Sequence, residues 1–293
     1  GLYKGVGKIL ISDFEHNSVI RPSVSTAETV FFNVDIEDDL ITIENFKKKI
    51  TDNVTLVVVA HASNVCGRIL PVEMFASICN ELNIPIIVDA SQTAGYIPFD
   101  MSQSRVDVIC IPGHKGLYGP MGTGALIVNP QKNPCFNTLI QGGTGILSHD
   151  INMPDDLPER LEAGTFGVHD FAGLKEAVKK CTFDINSLME KYYYLLEDLK
   201  KIKKIKIYGY SETNADKYVP TILLNMEGII SQDFSKLLYE KNICVRSGFH
   251  CAPAAHKKLD TGQYGAVRLS VGKKNSFNDC EKLIKVIKEI SKR

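Results

Sequence analysis

The chain has 293 residues, 44% of them hydrophobic, and its 34 Lys and Arg balance 34 Asp and Glu for a formal net charge of zero. That composition describes a globular chain and excludes the disordered and fibrous classes. It also lacks the basic excess of a dedicated nucleic-acid binder. No run reaches the roughly 18 apolar residues of a membrane span, no signal peptide is visible, and the first residue is Gly1 rather than methionine. The cysteines at 66, 79, 110, 135, 181, 244, 251 and 280 are scattered without a CxxC pair. Cys79, Cys110 and Cys280 sit in apolar patterns as small hydrophobes, and the set as a whole implies a reducing, cytosolic setting.

Four short apolar runs mark the first half: KILIS at 8–12, TLVVVA at 55–60, IPIIVD at 84–89 and VDVICI at 106–111. Helix-compatible segments, ENFKKKI at 44–50 and VEMFASICNELN at 72–83, lie between some of them. Apolar strands alternating with helices predict a mostly parallel sheet covered on both faces. After LEAGTFG at 161–167 the pattern changes. A helix is expected over 186–202, then strands within VPTILLNM (219–226), ICVRSG (243–248) and GAVRLSVG (265–272). A closing helix begins at 277, capped by Ser276, with Phe277, Leu283, Ile284, Ile287 and Ile290 on its apolar face. The lysines of EDLKKIKKIKIYG (197–209) alternate with Leu199, Ile202 and Ile205, so the stretch reads as a solvated helix face and not as a basic patch. The pattern predicts a large α/β part over residues 1–170 and a smaller C-terminal α+β part over 171–293.

In open parallel sheets ligands bind outside the carboxyl ends of the strands. Three of the predicted strands end there in polar residues. TLVVVA runs into His61, Ser63 and Asn64, IPIIVD ends at Asp89 with Gln92 three residues on, and VDVICI leads to His114 and Lys115. An acid, an amide, an imidazole and an amine on one edge suit pyridoxal phosphate, which needs a lysine for its Schiff base and an acid at its pyridine nitrogen. No GxxxxGK[ST] phosphate loop occurs.

Six strings then fall in collinear order over nearly the whole chain: EHNSVIRP (15–22), HASNVCGRILPV (61–72), VDASQTAG (88–95), PGHKGLYGP (112–120), EAGT (162–165) and RSGFHCAP (246–253). Together they resemble the class V aminotransferase-fold enzymes, specifically the cysteine desulfurases and selenocysteine lyases. The resemblance implies the fold type I architecture of pyridoxal 5'-phosphate enzymes, a mostly parallel sheet flanked by helices with a smaller α+β domain. It implies that Lys115 forms the Schiff base and moves protons at the substrate α-carbon, that Asp89 pairs with the pyridine nitrogen, and that Gln92 bonds the ring's phenolic oxygen. Either His16 or His61 stacks on the ring, with His16 preferred. Asn64 lies beside the cofactor, His114 contacts the phosphate, and Thr165 reaches a phosphate across a homodimer interface. Arg268 binds the substrate carboxylate, with Arg246 as a second arginine of the site.

Cys251 separates the subclasses. It lies in a loop near basic groups, where a thiolate is favoured, and the resemblance makes it the nucleophile that takes sulfur from L-cysteine as a persulfide, leaving L-alanine. The sulfur then passes to an acceptor protein, of the kind that serves iron–sulfur cluster assembly or thiolation. The alternatives are a selenocysteine lyase, another class V lyase or transaminase with Cys251 incidental, or a truncated chain inactive on its own. A metal site from Cys244, His250, Cys251 and His256 has irregular spacing and is disfavoured. The sequence departs from the family at two points. Relatives carry about 60–70 residues, the length of a small domain, ahead of GKILIS. These include a helix whose N-terminal loop holds the phosphate and a strand expected beside GKILIS. At Pro112 many relatives have a phosphate-binding serine, which leaves more of that contact to His114 and Thr165.

Overall fold

The computed structural model describes residues 1–132 and 134–292. The four apolar runs are strands: β1 (Lys8–Ser12), β3 (Val54–Ala60), β4 (Ile86–Asp89) and β5 (Val108–Pro112). They join β2 (Glu28–Phe32) and β6 (Gly124–Val128) in a six-stranded sheet of order β2-β1-β3-β4-β5-β6. Every pairing is parallel except that of β6 with β5. β1 is hydrogen-bonded on both sides, to β2 and β3, so the expectation that it lacks a neighbour does not hold. The edge falls to β6 instead, which is largely exposed.

Between these strands run α1 (Asn17–Thr26), α2 (Asp39–Lys49) and α3 (Val72–Glu81). The N-cap of α1 is His16, whose Nδ1 accepts from the Ser18 amide at 3.1 Å. α2 is capped by Asp38 and ends in Lys47, Lys48 and Lys49, an arrangement that suits the helix dipole at its carboxyl end. α2 and α3 pack on one face of the sheet, where Phe32, Phe46 and Phe75 meet with ring centroids 4.7–5.3 Å apart. Each of these rings is fully buried, and aromatic clusters of this kind add to their area burial through edge contacts.

After β6, α4 (Val168–Lys179) and α5 (Ile185–Lys200) lead into a four-stranded antiparallel sheet. Its order is β7-β8-β10-β9, from β7 (Ile205–Tyr208), β8 (Thr221–Met226), β9 (Arg246–Gly248) and β10 (Ala266–Ser270). The lysine-rich stretch is therefore not one helix face. α5 stops at Lys200, and Ile205-Lys206-Ile207-Tyr208 alternates as an edge strand. α6 (Ser231–Tyr239) and α7 (Pro253–Lys258) flank β9, and α8 (Phe277–Ser291) closes the chain. Ser276 caps α8 in a reciprocal box with Asp279.

The two sheets are joined through α2. Arg68 is fully buried; its Nη2 meets Asp39 Oδ1 at 2.6 Å and its Nη1 donates to the Ile69 carbonyl at 2.6 Å. Lys217 takes the other Asp39 oxygen at 2.6 Å, and Asn214 donates to the Glu37 carbonyl at 2.6 Å. A buried guanidinium is costly to desolvate, and this one is compensated by carbonyl and carboxylate acceptors on several sides. Removing Asp39 would strand it.

Candidate active site

The strand order reverses between β1 and β3, which opens a crevice at the carboxyl end of the large sheet. The antiparallel sheet closes over that crevice and leaves a cavity of about 400 Å³. His16, Asn64, Gln92, His114, Lys115, Arg246, Cys251 and Arg268 all line it. Asp89 sits at the last residue of β4, half-buried, with Ser91 donating its amide to Oδ1 at 2.9 Å. It borders an adjoining cavity of about 480 Å³, and Ser91 lies in the walls of both.

The turn that carries Lys115 is shaped by close backbone approach. Gly113 donates to the Thr123 carbonyl at 2.8 Å, and Gly119 donates back to the Gly113 carbonyl at 2.7 Å. A Cβ on Gly116 would stand 2.3 Å from the Ala94 carbonyl, so only glycine lets this turn press on the segment after β4. Lys115 is exposed where the cavity opens, yet the cavity walls withdraw enough water to hold its ammonium below the usual lysine range. The Asp89 carboxylate opposes that shift and the Arg268 guanidinium adds to it.

Of His16 and His61, His16 lines this cavity and His61 does not. Burial lowers the His16 pKa, with Lys115 adding to the shift, so a neutral ring faces the cavity. His61 is buried behind β3, bonded through Nδ1 to Thr93 Oγ1 at 2.9 Å and edge-on to Phe99, and burial takes its pKa down to about 4. Asn64 bridges the two sheets. Its side-chain amide donates to the His250 carbonyl at 2.8 Å, and its own carbonyl accepts from Arg268 Nη1 at 2.8 Å. The Arg268 Nε is buried and has no partner among the described residues. Such a donor is costly unless a ligand meets it.

Cys251 is exposed to the cavity in a turn where His250 (φ 50°) and Cys251 (φ 56°) are both left-handed. Two consecutive residues with side chains in that region store about 1–3 kcal/mol each. The neighbouring basic groups differ in what they bring to the thiol. Arg246 lines the cavity, but His250 is buried, its pKa is lowered to about 4, and its ring bonds backbone and His256. It therefore adds no positive charge beside the thiol. Thr165 is exposed and lies outside this cavity. Pro112 ends β5 opposite Gly124. The cavity also holds Tyr96 and Tyr118, to which the sequence reading gave no role. The Tyr118 hydroxyl accepts from the Lys273 amide at 2.9 Å, and burial beside Tyr118 drives the Tyr96 phenol well above its usual range. Tyr118 stands inside the PGHKGLYGP string, but its left-handed φ of 59° has no signature in that string.

A mostly parallel sheet that ends in an acid on β4 and a lysine after β5, with an arginine of β10 lining the same cavity as the lysine, is the frame of an α/β enzyme. The chain belongs to the class-V aminotransferase family, whose profile, Aminotransferase class-V, matches residues 3–283. It is 30% identical over 303 residues to a probable cysteine desulfurase of Pyrococcus abyssi, which covers 99% of this chain and 74% of that one. It is 29% identical over 294 residues to a cysteine desulfurase of Haloferax volcanii, over 95% of this chain and 67% of that one. Its fold is similar to the apo structure of cysteine desulfurase from Thermococcus onnurineus NA1, with a TM-score of 0.87 and 27% identity over 99% of this chain and 74% of that one.

Proposed function

We propose that this chain is a pyridoxal 5'-phosphate-dependent cysteine desulfurase that converts L-cysteine to L-alanine and carries the sulfur as a persulfide on Cys251. The observation that carries the reading is that Cys251, Lys115 and Arg268, whose Nε has no partner among the described residues, line one cavity. We read residues 1–170 as the cofactor-binding part and 171–293 as the part bearing the cysteine loop.

The residues present fit the cofactor. Lys115 presents an amine of lowered pKa, Asp89 an acid at a neighbouring strand end, and Gln92 and His114 polar groups between them. When bound, pyridoxal phosphate supplies an electron sink for the carbanion left at the substrate α-carbon. Asp89 would hold a proton on the ring nitrogen, Gln92 would bond the phenolic oxygen, and the neutral His16 would cover the ring. His114 and Asn64 would complete the cup.

Arg268 has Nη1 committed to the Asn64 carbonyl, so Nε and the remaining amine form the fork that binds the substrate carboxylate. Lys115 Nζ takes the α-proton, and its lowered pKa raises the neutral fraction that can do so. The Cys251 thiolate then attacks the substrate sulfur. The S–S bond forms as the carbon–sulfur bond breaks, the electron pair stays on the β-carbon, which takes a proton, and Lys115 Nζ returns the α-proton to give alanine. The stretch 139–168 that contains Thr165 carries exposed apolar side chains, Leu139 at 92%, Ile151 at 97% and Val168 at 70%, which supports a second copy of the chain as the partner that Thr165 serves.

The test is direct. Purified chain with added cofactor should absorb at about 420 nm, as lysine-bound pyridoxal does, and Lys115→Ala should lose that band. Cys251→Ala should keep the band and lose sulfide release from cysteine. Absence of the band in the unaltered chain, or full turnover in Cys251→Ala, would sink the reading.

A further inference from the structure

Behind the cysteine turn lie two histidines that the chemistry in the cavity does not use. His250 is 5% exposed and His256 2%, with their rings 5.1 Å apart and 19° from parallel. His250 Nε2 faces the Arg246 carbonyl at 3.1 Å. A carbonyl can only accept, so His250 carries its proton on that nitrogen. Its Nδ1 is then an acceptor, and His256 Nε2, 2.9 Å away, is the donor. His256 Nδ1 in turn accepts from the Thr261 hydroxyl at 2.8 Å. One direction of donation satisfies every atom, from Thr261 through His256 and His250 to the Arg246 carbonyl. With His256 donating, a further proton on His250 would set two N–H groups face to face.

The ends of this relay stand on either side of the cysteine turn. Arg246 opens β9 before it, and Thr261 lies beyond α7 after it. Between them the left-handed pair at 250 and 251 persists only where the surroundings over-determine it. The cavity side pins the same turn, through the Asn64 side chain to the His250 carbonyl at 2.8 Å and the Asn17 amide to the Cys251 carbonyl at 2.6 Å.

We infer that Thr261, His256 and His250 form a positioning relay that locks this turn and holds the Cys251 thiol in the cavity, in line with the sulfur of the substrate. The identity of that sulfur rests on the desulfurase reading; the locking of the turn does not.

Three variants dissect the relay. His256→Phe keeps the bulk of the ring and removes both its hydrogen bonds, Thr261→Val removes only the first donor, and His256→Gln restores an N–H toward His250. Each holoenzyme is treated with iodoacetamide and alkylation is followed by peptide mass mapping, with the exposed Cys135 and Cys244 as internal references. In His256→Phe the released turn lets the thiol swing out. Cys251 is then alkylated several-fold faster relative to both references, while kcat for sulfur release falls roughly 10²-fold, the cost of misplacing a reacting atom by about 1 Å. The cofactor band is unchanged. Thr261→Val moves both readouts the same way by less, and His256→Gln brings both back toward the native values.

Unchanged alkylation ratios with unchanged kcat in His256→Phe and Thr261→Val overturn the assignment. If His256→Phe does not fold, Thr261→Val decides, since it alters a single hydroxyl. A native chain that releases no sulfur refutes the desulfurase reading, and alkylation still judges the relay.

Discussion

Glu15 has no solvent exposure, and its environment makes a quantitative test of what burial does to a carboxyl near Asp89. Oε1 accepts from the Ser12 hydroxyl and, at 2.8 Å, from the Ala60 amide, while Oε2 has no partner among the described residues. Burial pushes its pKa up to about 8, against the two hydrogen bonds, and the Asp89 carboxylate adds to the rise. At neutral pH Glu15 is protonated. A carboxyl that ionises near 4.5 in the unfolded chain must therefore be held neutral in the folded one. At about 1.36 kcal/mol per pH unit this costs about 3 kcal/mol at pH 7. The sign follows from the raised pKa. The contribution to stability is fully present below 4.5 and is lost as pH rises toward about 8, beyond which it is flat.

Glu15→Gln copies the protonated shape, keeps an acceptor for Ser12 and Ala60, and removes the titration. Urea unfolding of both chains between about pH 5 and 9 should show the variant gaining on the native chain as pH rises, by about 3 kcal/mol at pH 7. Asp13, which burial takes up to about 6, and the histidines lowered to about 4 are common to both chains and cancel in the difference. Parallel pH dependence in the two chains would refute the reasoning.

Arg268→Lys keeps a positive charge but loses the planar fork, and kcat/KM for cysteine should fall about ten- to a hundredfold, mostly in KM, by steady-state kinetics. Gly116→Ala drives a methyl toward the Ala94 carbonyl and moves Lys115, so titration with pyridoxal phosphate should show a weakened or missing band near 420 nm. Ser276→Ala removes the reciprocal cap of α8 and should cost about 1 kcal/mol, read as a Tm lower by about 2–4 °C, with turnover unaffected.

Strands buried on both faces were legible because they read as unbroken apolar runs. β1 and β4 lie inside the runs predicted for them, and the strand-end residues Asp89, His114 and Lys115 followed from the general rule for parallel sheets. α1 was hidden by Pro22 within it, a residue that ordinarily argues against a helix interior. β7 was hidden because its lysines continue the charge pattern of α5, so a period of two reads as the tail of a period of 3.6. Of the two histidines weighed for the ring, only burial separates them, since both follow strands at the same sheet edge. The direction of the His250 ring and the left-handed turn at Cys251 belong to tertiary packing, which no local spacing encodes.

The contacts of Asn64 with His250 and Arg268 span 186 and 204 residues of chain. Closures that long are entropically expensive and come late, after each sheet has formed from its nearer pairings. Uptake of cofactor during refolding should therefore time the docking of the two sheets and not the formation of either. A chain stalled with both sheets made but undocked would have near-native secondary structure and no competence to bind. Cofactor supplied during synthesis then acts on the last step alone, and stabilises the finished molecule by mass action.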